Sequence, residues 1–126
     1  MPTKIVALSS GLLLLACLVA LPTQAADDDS APSVSIKDVM KKAFKGPLLK
    51  TVASGSATDA QKKELHAMLV ALSKNKPKKG DAESWKKLTG SLVKASQAAV
   101  AGDAKAGGML KKAANCKACH SQHKPK

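Results

Sequence analysis

Residues 116–120 read Cys116-Lys117-Ala118-Cys119-His120, a C-x-x-C-H motif with only six residues after it. Two thiols three residues apart can each close a thioether onto one of the two vinyl groups of a porphyrin. The adjoining imidazole then reaches the iron, so this is the spacing of c-type haem attachment. Other uses of paired thiols stand beside that reading. A zinc site needs a second ligand pair, and outside the motif only Cys17, His66 and His123 remain. A redox dithiol of the thioredoxin kind opens a helix after a strand, and nothing upstream reads as a strand. Cys116, Cys119 and His120 are therefore the candidate cofactor-binding residues, with one covalently attached haem c expected and a structural or redox dithiol as the alternative.

At the other end of the chain, Met1-Pro2-Thr3-Lys4 precedes an apolar block at residues 5–21, interrupted only by Ser9, Ser10 and Gly11. Pro22-Thr23-Gln24-Ala25 follows, and then Asp27-Asp28-Asp29. A basic start, an apolar block and small residues before a polar stretch predict an export signal at 1–25, cut after Ala25. Left uncleaved, the block would serve as an anchor. Leu14-Leu15-Ala16-Cys17 resembles a lipoprotein processing box that would lipidate Cys17, but the residues after Cys17 stay apolar where a lipoprotein continues as a polar tether. The expected location of the folded part is the periplasm, outside the cytoplasm, where haem is attached to C-x-x-C-H motifs. Residues 26–34, acidic and carrying Pro32, predict a flexible N-terminal arm, and 35–126 a single small domain.

That domain contains one Phe, Phe44, and one Trp, Trp85, among many Ala. Its core would be thin, and a buried porphyrin would supply the missing apolar volume. The chain carries 21 basic residues, all Lys, against 9 acids, a formal charge of +12. With no Arg, no aromatic stacking platform and an export signal, the pattern argues against a nucleic-acid partner. Most of the Lys read as a solvated face on helices, and the remainder suits steering toward acidic partner proteins.

Periodicity is helical throughout. Ile36, Val39, Met40, Ala43 and Phe44 form one apolar stripe from near Ser35, with a kink or interruption due at Gly46-Pro47 before Leu48, Leu49 and Val52 continue. Thr58 and Gln61 predict a capping box for a second helix burying Leu65, Met68, Leu69 and Leu72. Asp81 caps a third, with Trp85, Leu88, Leu92, Ala95 and Ala99 inward. Gly102-Asp103 predicts a stop and a new cap, and a fourth helix runs from there into the motif, with Met109, Ala113, Cys116 and His120 on one face. The expectation is an all-α, antiparallel up-down four-helix bundle with haem attached to the C-terminal helix.

With six residues after His120, a second iron ligand, where there is one, is expected from upstream. Four helices with C-x-x-C-H on the last one resemble the class II cytochromes c, the cytochrome c′ family and its low-spin relatives. Asp81-Ala82-Glu83-Ser84-Trp85 and Asn115-Cys116-Lys117-Ala118-Cys119-His120 are similar to small exported proteins of that kind. The resemblance implies that the inner face of the first helix meets the distal side of the iron. There it carries Met in six-coordinate members and an apolar blocker in five-coordinate ones. Met40 holds the matching position, so the resemblance implies His120 and Met40 as metal ligands, with Phe44 and Leu48 walling the pocket. A Met on an apolar stripe also serves as core filler, the role expected of Met68 and Met109. His66 is expected on the surface and His123 facing solvent.

Two functions follow. A His/Met iron makes a one-electron carrier rather than an enzyme. An open distal site makes a five-coordinate, cytochrome c′-like protein binding NO or CO. Peroxidase chemistry is disfavoured, because it needs a distal base and a charged donor where Met, Phe and Leu are expected. The Lys at 41, 42, 62 and 63 would repel across a pairing of the first two helices, so a monomer or weak homodimer is expected.

Overall fold

A computed structural model describes residues 34–126, and every regular element among them is helical. The expected export signal, Cys17 and the arm up to residue 33 lie outside the described residues. No helix among the described residues is long and apolar enough to cross a membrane.

Ser35 caps α1 (Ile36–Val39), accepting from Asp38 N at 3.2 Å and donating to Asp38 Oδ2 at 2.6 Å. The hydrogen bond from the Ser35 side chain holds the Asp38 carboxyl below its usual range. The chain then widens into a π turn, Met40–Lys45, closed by Gly46 N donating to Lys41 O at 3.0 Å, five residues back. Gly46 has no space for a side chain, since a Cβ there would collide with the Lys42 carbonyl. Pro47 lacks a backbone donor and restarts the helix as α2 (Leu48–Ala53). The interruption at Gly46-Pro47 is as expected, while the π turn is not. It lets the buried residues Val39, Ala43, Leu48 and Val52 follow one another at steps of four, five and four along one side. The stripe thereby divides: Val39 and Ala43 enter the core, and Met40 and Phe44 remain half-buried beside it.

The capping box forms at α3 (Asp59–Lys74), where Gln61 N donates to Thr58 Oγ1 at 3.2 Å and Thr58 N donates to Gln61 Oε1 at 3.0 Å. Leu65, Met68, Leu69 and Leu72 are buried on its inner face. Asp81 caps α4 (Ala82–Val100), its carboxylate accepting from Ser84 N at 2.9 Å. Trp85, Leu92, Ala95 and Ala99 are buried there, and Leu88 is only half-buried.

The last segment departs from expectation. The new helix is capped at Lys105, two residues beyond Asp103, whose side chain instead braces the turn by accepting from Lys105 N at 2.8 Å. Nor is it one helix. α5 (Ala106–Ala113) ends where Ala114 and Asn115 turn to ψ values of 49° and 89°. Asn115 Oδ1 then accepts from Ala118 N at 3.0 Å and opens α6 (Cys116–His123). An Asn side chain competes for backbone donors and favours a cap over a helix interior, and periodicity alone does not register that.

α3 packs along α4, α4 against α5, and α2 against α3 and α5; α6 rests on α4. The apolar core runs through these contacts from Val39 and Leu65 to Leu110.

Candidate functional site

The break at Ala114-Asn115 leaves α6 as a short helix beside a cavity of about 210 Å³. Met40, Phe44 and Lys45 come to it from the π turn, and Leu72 from α3. From α4 come Leu88, Thr89 and Leu92, which explains why Leu88 is not sealed into the core. The last wall is the segment from Ala113 to Cys116 together with Cys119 and His120. All five residues singled out in the sequence, Cys116, Cys119, His120, Met40 and Phe44, therefore border one cavity, although Met40 and His120 are 80 positions apart. Leu48, expected beside Phe44, is buried in the core and does not line it.

The walls are mostly apolar. Of the polar groups, Thr89 Oγ1 is already engaged, donating to Trp85 O at 2.7 Å, and Asn115 is engaged as the α6 cap. Lys45 is the only ionisable side chain there apart from the motif itself.

Cys116 is exposed and Cys119 half-buried, and both are free thiols. Burial, assisted by the neighbouring Cys116, pushes the Cys119 thiol up from its ordinary value. His120 is exposed. Among the described residues no three His, Cys, Asp or Glu side chains gather closely enough to hold a metal ion by themselves.

The other histidines sit differently from expectation. His66, expected on the surface, is half-buried, with Nδ1 2.9 Å from Ser96 Oγ across the α3–α4 contact. It has no place at the cavity. His123, expected to face solvent, is buried against α4 and the loop before it. Met68 is core, as expected, and Met109 is half-buried against it.

Comparison with protein-family models, with curated proteins and with solved structures finds no match to this chain.

Proposed function

We propose that the chain is an exported monohaem c-type cytochrome and one-electron carrier, with haem c held by Cys116 and Cys119 and its iron ligated by His120 and Met40. The observation that carries the reading is the shared cavity: two thiols, an imidazole and a thioether border one pocket whose other walls are almost wholly apolar. That donor set fits haem c, whose attachment consumes two thiols and whose iron accepts nitrogen and thioether sulfur. It fits a structural metal poorly, because among the described residues no further Cys, His or carboxylate lines the cavity.

When bound, the cofactor supplies a centre that changes charge by one electron. The chain does the rest. Cys116 and Cys119 would attach the group to α6, and the apolar Phe44, Leu72, Leu88 and Leu92 would keep water from it. His120 and Met40 would hold the iron, and a Met sulfur would favour the reduced state. The architecture that goes with this reading is the up-down four-helix bundle. Its arms are 36–53 with the π turn, 59–74, 82–100, and 106–123 with its break.

If Met40 packs without ligating, the same apolar wall belongs to the five-coordinate, NO- or CO-binding protein. The first experiment decides haem itself. Expressed with its leader alongside a haem-attachment system, the protein should show haem staining on a denaturing gel, and Cys116→Ala/Cys119→Ala should show none. Staining that survives the double substitution would overturn the proposal.

A further inference from the structure

We propose that His123 is a positioning residue, a buried latch that fixes the helix bearing Cys116, Cys119 and His120 against α4 and so sets how His120 stands at the cavity. Its functional consequence rests on the haem reading above, while the latch itself does not.

α6 needs such a device. It is not a continuation of α5, because the backbone leaves helical geometry at Ala114 and Asn115. Its direction therefore cannot come from helix stiffness and must come from what the helix touches. His123 is the buried residue of α6, 4% exposed, whereas Cys116 and His120 are exposed.

Both ring nitrogens of His123 are engaged by other parts of the fold. Nδ1 lies 3.0 Å from the Lys79 carbonyl, and since a carbonyl only accepts, Nδ1 carries a proton and donates. Nε2 lies 3.1 Å from Ser84 Oγ in the first turn of α4 and, unprotonated when Nδ1 holds the proton, accepts from that hydroxyl, against which the Gln122 side-chain amide also lies. The Trp85 ring meets the imidazole edge-on, with centroids 5.2 Å apart and planes at 74°.

The loop is shaped to receive the ring. Gly80 has φ +94°, and a Cβ there would run into the His123 imidazole and the Gln122 carbonyl. One side chain thus ties three pieces of chain together: the 75–81 loop, the start of α4 and the end of α6. Hydrogen bonds at both nitrogens fix the ring in direction as well as depth, which an apolar side chain would not do.

The test uses the full exported protein and its His123→Ala and His123→Asn variants, with haem staining, visible spectra and amide hydrogen exchange resolved by segment. His123→Ala should keep its covalent haem stain, because both thiols remain. Amides of α6 should exchange about tenfold faster or more, the effect of losing the packed imidazole and the hydrogen bonds it makes to the 75–81 loop and α4, while α3 is unchanged. The ferric visible bands should shift as His120 loses its fixed orientation. His123→Asn, whose amide can still donate toward Lys79 O, should recover part of both effects. Ser84→Ala attacks the latch from the α4 side, and its effect combined with His123→Ala should be less than additive.

Unchanged α6 exchange and spectrum in His123→Ala would overturn the latch, as would full additivity with Ser84→Ala. Absence of haem from the unaltered protein would instead overturn the haem reading, and the exchange data would still judge the latch.

Discussion

Met40 is where a single side chain separates the two functions. It sits at the first position of the π turn, half-buried, at the edge of the cavity that His120 borders from α6. As a ligand its sulfur closes the iron to small gases and raises the potential. Met40→Ala should then shift the ferric spectrum toward high spin, speed CO binding to the ferrous protein and lower the reduction potential. As packing alone, the same substitution would cost about 2 to 5 kcal/mol in stability through the space it leaves, with little change in spectrum. CO-binding kinetics and the ferric spectrum of both proteins decide it, and rapid CO binding to the unaltered protein with no change of spin state in the variant would favour the gas-binding reading. The cavity wall was largely legible at this scale, since Cys116, Cys119, His120, Met40 and Phe44 all border it, while Leu48 is drawn into the core. His123 was not legible in the same way, since its burial depends on Lys79, Gly80, Ser84 and Trp85, about 40 positions away.

Among the elements, α3 and α4 begin where their short-range signals place them, whereas α5 begins beyond the cap expected at Asp103. Thr58 with Gln61 and Asp81 with Ser84 are caps that each satisfy a backbone donor within three residues. The π turn and the break before α6 escape such a reading, because each adjusts helical phase to fit neighbours: Val39, Ala43 and Leu48 to the core, Cys116 and Cys119 to the cavity. At the break, a continuous fourth helix and two helices divided at Asn115 make different predictions. Since Asn115 caps α6, Asn115→Ala should cost about 1 kcal/mol and lower the midpoint of thermal unfolding by about 4 to 8 °C. Circular dichroism melts read this directly. A midpoint that holds or rises would mean that Ala, the better helix former, is welcome there and that the helix runs through.

For the whole molecule, charge and cavity have to be considered together. Among the described residues the only ion pair is Lys62 with Asp59, at 3.2 Å on the surface of α3, so most of the Lys charge stands free in solvent. Free charge of one sign produces a long-range field, and if the protein passes electrons its acidic partner should dock where the cofactor is closest to the surface. Lys45 borders the cavity, whereas Lys94 borders a separate groove along α3 and α4. Lys45→Glu should therefore slow electron transfer to an acidic partner more than Lys94→Glu does. Reversing a charge at close approach in water changes the interaction by about 2 kcal/mol, or about thirtyfold in rate at low salt. The difference should fade as ionic strength rises and screening shortens to about 8 Å. Stopped-flow transfer rates at several salt concentrations measure both effects. Equal slowing by the two substitutions would mean that net charge steers the encounter without selecting the cavity mouth, and rates flat with salt would leave the lysines as a solubility device.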